Sequence, residues 1–273
     1  MVTSKKKAAP SRPVEPAPLL IDELDAYEGD PNFMTSFARG LAVIRAFDES
    51  HSRLTVAQAS ERSGLPRSAA RRCLYTLQCL GYVGVDGSSF YLKPRIVTLG
   101  HTYLLAVPLT ATAQPILDRL AREVQETCTL AVLDGEDILF VGHSSRVPMV
   151  SVNIAVGSRL PAYCTANGQV LLGTLPAAEL DAYLTDVRLV RLTPSTLTTR
   201  KQLLARIQQV REVGYSIVDQ EFDEKVRSVA VAIRSGGKVV ASMSVAVPSD
   251  RVSLREIKSR FLPLLRAAAS EFA

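Results

Sequence analysis

The sequence predicts an α+β protein in which a winged helix-turn-helix is followed by a larger domain of antiparallel strands bracketed by helices. Three observations lead there. Between Thr55 and Leu92 a capped helix, a Gly-Leu-Pro turn, a second helix and a short hairpin follow one another without interruption. Beyond Cys128 the apolar residues stop recurring at helical steps and begin to alternate, with Gly-containing turns between the runs. The chain has 273 residues, 47% of them apolar, which is enough for two separate cores.

Residues 1–32 hold five prolines, the triplet Lys5-Lys6-Lys7 and an acidic cluster from Asp22 to Asp30. Such a segment has too little apolar surface to offset its ordering entropy, so a disordered tail is expected. A first domain is expected over residues 33–94. Ser36 is placed to cap a helix whose Phe37, Leu41, Ile44 and Phe47 form an apolar stripe. Thr55-Val-Ala-Gln58 has capping-box spacing, with Thr55 bonding the third amide and Gln58 reaching back. Gly64 supplies the positive φ that ends that helix. Pro66 suits the first position of the next, where a missing N–H costs nothing. From there Ala70, Cys73 or Leu74, Leu77 and Leu80 form the inward face, and Arg67, Ser68, Arg71, Arg72 and Tyr75 the outward one. A hairpin follows over Tyr82–Leu92 with Asp86-Gly87 at its tip.

A second helix entered through such a turn can lie in the major groove of double-stranded DNA, with the hairpin as a wing. Between Arg62 and Val85 there are four arginines and no acidic residue. Arginines at the start of a reading helix pair with guanine edges, while Ser68 and Tyr75 reach phosphates. Thr55 and Lys93 complete the candidate DNA-contacting set. The whole chain carries a net charge of +5, and residues 33–95 hold nine Lys/Arg against four Asp/Glu, so a polyanion is expected to dock there. The competing reading is an αα-hairpin and ribbon with a solvated arginine face. The hairpin in register and the missing acids weigh against it.

Residues 95–110 read as a linker helix, Arg95–Val107, that Pro108 interrupts. The second domain is expected over 111–273. It opens with an amphipathic helix, Ala113–Thr127, with Ile116, Leu117, Leu120 and Val124 inward. Strands are expected at Thr129–Leu133, Ile138–Gly142 and Met149–Val156. Helices follow at about Thr165–Leu175, Ala177–Leu184 and Thr199–Val213. Strands return at Tyr215–Asp219, Ser228–Ile233 and Val239–Val247, and Leu254–Phe272 closes the chain as a helix.

The four cysteines include no C-x-x-C pair, and the three histidines are too dispersed for a zinc site, so no metal or other cofactor is expected. Unpaired thiols fit a reduced, cytoplasmic compartment. No apolar run is long enough for a membrane span, and Lys5–Lys7 lack the apolar segment of a secretory signal.

Short matches in a fixed order resemble the IclR family of bacterial transcriptional regulators. They are Phe37-Ala-Arg-Gly-Leu41, Gly64-Leu-Pro-Arg-Ser68, Leu80-Gly-Tyr82, Leu160-Pro-Ala-Tyr-Cys-Thr-Ala-Asn-Gly168, Val210-Arg-Glu-Val-Gly-Tyr215, Asp219-Gln-Glu221 and Arg227-Ser-Val-Ala230. The resemblance implies a GAF-like effector domain, a homodimer or dimer of dimers, and a small acidic ligand. The Leu160-Pro-Ala-Tyr-Cys-Thr165 form is similar to the subgroup controlling aromatic-acid breakdown through the β-ketoadipate pathway. Asn167 and Gln169 stand where that pattern leads one to expect Met and Arg or Lys. A regulator of an unrelated carbon source is the alternative within the family.

The helix beginning near Cys164 offers free amides and a positive dipole end to a carboxylate, and Thr165 and Ala166 are small enough to let one approach. The resemblance places further pocket positions at Val218 or Asp219, Ser228, Ser244 and Ala246. Arg146 and Arg159 are candidate charge partners, and Tyr163 a candidate ring wall. An enzyme reading rests on Cys164, whose thiol a helix N-terminus would activate, with His143 as its base. No third orienting group accompanies them, and Glu221, Asp223 and Glu224 have no spaced partners, so a non-enzyme is expected.

Overall fold

The computed structural model describes residues 27, 29–48, 50–100, 108–146 and 154–272, with only the backbone of 108–111. The chain divides into two compact units on either side of residues 106 and 107. Most of the expected tail lies outside the described residues. Its last part does not, since the Tyr27 ring stacks on Phe33 at 4.7 Å.

The first unit contains α1 (Thr35–Arg45), β1 (Arg53–Thr55), α2 (Val56–Ser63), α3 (Arg67–Cys79), β2 (Val83–Asp86) and β3 (Ser89–Leu92). Thr55 caps α2 through a complete capping box, and Gly64 closes it at φ +68°. Pro66 is the residue before α3 rather than its first. The core joins Ala42, Val43 and Ala46 of α1 to Leu54, Ala59, Leu65, Ala70, Leu74, Leu77 and Val83.

Further expectations are corrected in this unit. The buried face of α1 is Ala38, Ala42 and Val43, whereas Phe37 is 65% and Leu41 40% exposed. The three-helix core is so tight that small residues take the contact, and the large ones turn outward beside exposed Met34. Ser36 lies inside the first turn and caps nothing. Leu80, at the end of α3, is 54% exposed because the helix has already stopped. In the wing, Asp86 pairs with Ser89, so the turn is Gly87-Ser88, one residue later than expected. Strand β1 adds to β3 and makes a three-stranded sheet that periodicity over three residues does not reveal.

Residues 97–100 are helical after a 3₁₀ turn at Pro94–Ile96, and residues 101–107 of the expected linker helix lie outside the described residues. Pro108 is the first residue of α4 (Pro108–Val124), a position that suits a residue with no N–H to lose. This helix ends three residues early because Gln125 adopts φ +58°.

The second unit is a six-stranded antiparallel sheet in the order β6-β5-β4-β9-β8-β7. Its strands are β4 (Thr127–Asp134), β5 (Asp137–Ser144), β6 (Arg159–Pro161), β7 (Tyr215–Asp219), β8 (Val226–Ser235) and β9 (Lys238–Pro248). Of the expected strand Met149–Val156, residues 149–153 lie outside the described residues and 154–156 are not strand; β6 was not foreseen. Side-chain alternation sorts the sheet into two faces. Cys128, Leu130, Val229, Val231, Met243 and Val245 pack against α4 and the closing helical stretch. That stretch comprises α8 (Leu254–Glu256), a π-helical turn (Ile257–Phe261) and α9 (Leu262–Ser270). The opposite face receives α5 (Ala166–Thr174), α6 (Ala177–Asp186) and α7 (Arg200–Val213) over a core of Ala131, Ile138, Phe140, Leu172, Leu203 and Ile207.

Helix α5 is buried along Ala166–Leu172 and therefore has no polar side. It follows the 3₁₀ turn Ala162–Cys164 so closely that a Cβ on Gly168 would lie 2.2 Å from the Ala162 carbonyl oxygen. That obstacle is backbone and has no rotamer to change. Gly168→Ala is expected to lose about 1–3 kcal/mol of stability, measured by urea denaturation of the full chain, and to lose ligand-induced stabilisation with it.

Candidate functional site

The outward face of α3 carries Arg67, Ser68, Arg71, Arg72 and Tyr75, all exposed. Among the described residues no ion pair engages any of the three arginines, so their charge is available to a ligand. Three other cations of this unit are committed. Arg62 pairs with Asp48 and donates to the Ala46 carbonyl (2.6 Å). Arg53 pairs with Asp86 and lies over the Tyr91 ring at 5.2 Å. Arg95 donates to the Leu80 carbonyl (2.8 Å). Lys93 is exposed beside the wing. Thr55 is different: its hydroxyl accepts from the Gln58 amide (3.3 Å) and donates to Gln58 Oε1 (3.0 Å). Its evident work is to cap α2.

In the second unit a narrow cleft of about 50 Å³ opens between the first turn of α5 and the helix-covered face of the sheet. Cys164, Thr165, Ala166, Ser228, Ser244 and Ala246 line it, as the sequence suggested, and the structure adds Thr129, Asn167, Phe140 and Phe222. Register explains the convergence. Val218 faces Ser228, Ser228 faces Ala246, and Ser244 faces Thr129 across β7, β8, β9 and β4. All point to one side of the sheet.

The choice between Val218 and Asp219 is settled by the same alternation. Val218 lines the cleft, while Asp219 points to the opposite face and pairs with Arg227 at 2.5 Å. Three other candidates lie elsewhere. Arg146 is exposed at the end of β5, with Asp118 in its field. Arg159 is held by Asp134 and Asp137. Tyr163 is buried, its hydroxyl donating to the Val190 carbonyl (2.9 Å) and accepting from the Val190 amide (3.2 Å). Among the described residues that line the cleft none is cationic, and Asp223 is the charged one.

The cleft's donors come from the backbone and from hydroxyls. Thr165 caps α5 by accepting from the Gly168 amide (3.2 Å), and the first intrahelical bond is Gln169 N–H to the Thr165 carbonyl. The Ala166 and Asn167 amides remain without an acceptor among the described residues. Ser228 is likewise without a side-chain partner there. Two wider hollows, of about 390 and 1080 Å³, are open grooves, one beside Arg206 and Lys258, the other beside Arg211, Arg234 and Lys238.

The family model for the IclR helix-turn-helix domain matches residues 36–87. That for the C-terminal part of the bacterial transcriptional regulator IclR matches 101–273. The chain belongs to the IclR family of bacterial transcriptional regulators. Among curated proteins it is 43% identical to the Pca regulon regulatory protein of Pseudomonas putida, over 99% of this chain and 96% of that one. A crystal structure of a transcriptional regulator from Rhodococcus sp. RHA1 is 41% identical and superposes with a TM-score of 0.78, covering 88% of this chain and 97% of that one. An IclR homologue from Microbacterium hydrocarbonoxydans, solved with 4-hydroxybenzoate, is 26% identical at a TM-score of 0.76, covering 87% and 97%.

Two residues of this IclR-family regulator that sequence reasoning set aside as departures are buried polar centres. Gln169 donates to Glu221 Oε2 (2.9 Å) and the Tyr163 carbonyl (3.0 Å), and accepts from Ser216 (2.7 Å) and Arg206 (3.2 Å). Glu221, expected to lack partners, is held by Gln169 and by Arg206 at 2.7 Å. Burial raises the Glu221 carboxyl above its usual range, against the opposing pull of Arg206. Loop residue Gln220, at φ +61°, and Glu221 also accept from Thr193 and Thr196 through their carbonyls. The wall carrying Phe222 and Asp223 is thus fixed by polar contacts far apart in sequence. The outlying polar residues in an apolar stretch were the available signal.

The thiol reading of Cys164 loses its premise. The residue is buried, its Sγ is directed at the Pro161 carbonyl oxygen (3.7 Å), and burial pushes the thiol strongly up rather than down. Cys128 is pushed up to about 12 for the same reason. In the native protein, iodoacetamide at mildly alkaline pH is expected to alkylate exposed Cys79 and spare Cys128 and Cys164. Peptide mapping reads this out, and rapid labelling of Cys164 would return the nucleophile to consideration.

Proposed function

We propose that this regulator grips duplex DNA with α3 and its wing, as a homodimer or dimer of dimers, and that an aromatic carboxylic acid bound in the cleft of the second unit changes the grip. Its target genes on this reading are those of aromatic-acid catabolism by the β-ketoadipate route. Duplex DNA supplies the phosphates and guanine edges that Arg67, Arg71 and Arg72 suit, with Ser68, Tyr75 and Lys93 on the backbone. The exposed apolar row Met34, Phe37 and Leu41 on α1 supports association of copies through the first unit. Two reading helices would then address half-sites about one helical turn apart, or a multiple of it.

The observation that carries the ligand assignment is the cleft's chemistry. Apolar and aromatic walls from Ile138, Phe140, Leu160 and Phe222 enclose a floor that offers donors, the two open α5 amides and the hydroxyls of Thr129, Ser228 and Ser244, with Asp223 as the one charged residue among the described lining. A flat apolar body with one anionic end matches this, and the dipole of α5 supplies a positive potential where the described lining holds no side-chain cation. The 4-hydroxybenzoate found with the Microbacterium relative has that form. The cleft is narrower than a benzene ring requires, so admission parts its walls. A ligand that binds one arrangement of the walls better than another can shift a conformational equilibrium. No catalysis is invoked: Cys164 and Glu221 are buried in structural roles.

Two experiments test the two halves. Arg71→Ala is expected to weaken specific DNA binding by about 1–3 kcal/mol in an electrophoretic titration at fixed salt; unchanged affinity removes this arginine from base reading. A thermal-shift series with 4-hydroxybenzoate, protocatechuate, muconate and β-ketoadipate is expected to give a saturable rise with at least one acid, about 2.7 kcal/mol at a hundredfold excess over Kd. Ser228→Leu is expected to abolish that rise and leave DNA binding in place. A flat wild-type response to every acid ends the aromatic-pathway assignment, and a response surviving in Ser228→Leu moves the ligand out of this cleft.

A further inference from the structure

The floor of the cleft is a closed hydrogen-bonded triangle whose protons can be counted. Its corners are Thr129 Oγ1, Ser244 Oγ and the carboxamide of Asn167. The hydroxyls are 2.8 Å apart, and the amide group is 3.1 Å from Thr129 and 3.0 Å from Ser244. All three residues are at least nine-tenths buried, with Thr129 at 1% and Ser244 at 4% exposure. Three contacts this short each need a proton between them. With the carboxamide oxygen at its corner, the triangle holds only the two hydroxyl protons, and one contact would press two oxygens together. With the NH2 group there, the triangle holds four protons: three fill the sides, and one hydroxyl proton is left over.

The second neighbour of Asn167 fixes that choice. Ser242, fully buried on β9, donates to Asn167 Oδ1 at 3.0 Å. Its contact with the Asn167 backbone carbonyl is longer, at 3.2 Å. Ser242 is not among the cleft's lining residues, yet it holds the carboxamide oxygen away from the triangle. The surplus hydroxyl proton, on Thr129 or Ser244, has no acceptor among the described residues, and both hydroxyls line the cleft.

We propose that Asn167, oriented by Ser242, sets the hydrogen-bond polarity of the cleft floor, so that the Thr129–Ser244 pair presents a donor to the ligand and selects an acceptor group, a carboxylate, at that point. This rests on the reading of the cleft as the effector site. Ser242 acts as a positioning residue: it touches no ligand and works through Asn167. A floor of the opposite polarity would arise if the Asn167 corner could only accept. The hydroxyl protons would then be drawn into the triangle, leaving lone pairs toward the ligand.

The test is a change in selectivity, which a merely structural role would not produce. Full-length wild type, Asn167→Asp and Ser242→Ala are titrated calorimetrically with 4-hydroxybenzoate and with 4-hydroxybenzamidine, whose N–H donors replace the carboxylate oxygens on the same ring. Wild type is expected to bind the benzoate and not the amidine. Asn167→Asp is expected to lose benzoate affinity by about ten- to hundredfold, the range for a hydrogen bond to a charged group, and to gain the amidine. Ser242→Ala adds no charge and removes the donor that holds the carboxamide oxygen, so the NH2 corner is held less firmly. It is expected to weaken the benzoate by a smaller factor while the amidine improves relative to it. Unchanged thermal midpoint and DNA binding control for folding, and Ser242→Ala alone suffices should Asn167→Asp fail to fold. If wild type binds the benzoate and the folded variants keep its selectivity, the proposal is overturned and the effector site stands. If wild type binds no acid, the effector reading falls and takes the proposal with it.

Discussion

The second unit depends on one close approach: the first turn of α5 lies against the 3₁₀ turn before it with no room for a side chain at position 168. That contact is made of backbone, so it fixes where α5 begins and which amides it leaves open. The consequences run outward. Thr165 can cap the helix, Asn167 can reach β4 and β9, and Gln169 can reach β7, α7 and the loop after Asp219. A helix buried on every side has no solvent to satisfy its polar side chains, so these must find protein partners. Asn167 does so toward β4 and β9, and Gln169 toward β7, α7 and the loop after Asp219. They tie together five elements, α5, α7, β4, β7 and β9, that apolar packing alone would leave free to slide.

The two units use charge differently. In the first, Arg53 and Arg62 are neutralised by Asp86 and Asp48 and Arg95 is spent on a carbonyl, while the three arginines on the face of α3 have no ion-pair partner among the described residues. Positive potential is therefore concentrated rather than spread, the arrangement that orients a polyanion. In the second, ion pairs such as Arg227–Asp219 and Arg206–Glu221 lie around the sheet, while no described residue lining the cleft is a cation. A binding site that holds an anion with amides and hydroxyls alone discriminates by geometry, because each donor must meet its acceptor within narrow limits.

Local chemistry accounts for what was legible in the chain. The capping box at Thr55, the positive-φ Gly64 and the arginine face of α3 are set by residues within four positions of one another, and they stand in the structure as they read in the sequence. Helices α6 and α7 and strands β7, β8 and β9 were legible for the same reason. Pocket residues Ser228, Ser244 and Ala246 were legible through family resemblance, and the sheet's register brings them together. The misreadings are equally instructive. On α1 the apolar stripe pointed to Phe37 and Leu41, but a core closed by alanines at 38, 42 and 46 rejects them. Strands β1 and β6 are only three residues long, too short for alternation to register.

The sequence by itself determined the order of elements, the caps and turns, and the segregation of positive charge into the first unit, because these depend on neighbours along the chain. Only the tertiary structure decided which side of β7 faces the cleft, that Tyr163, Arg146 and Arg159 stand outside it, and that Cys164 is inert. It alone gave Asn167 and Gln169 their partners. Those outcomes turn on strand register and on burial beside residues tens of positions away. A shift of one residue in a strand exchanges Val218 for Asp219, and an apolar stretch read in isolation cannot show which buried amide will be answered, or by what.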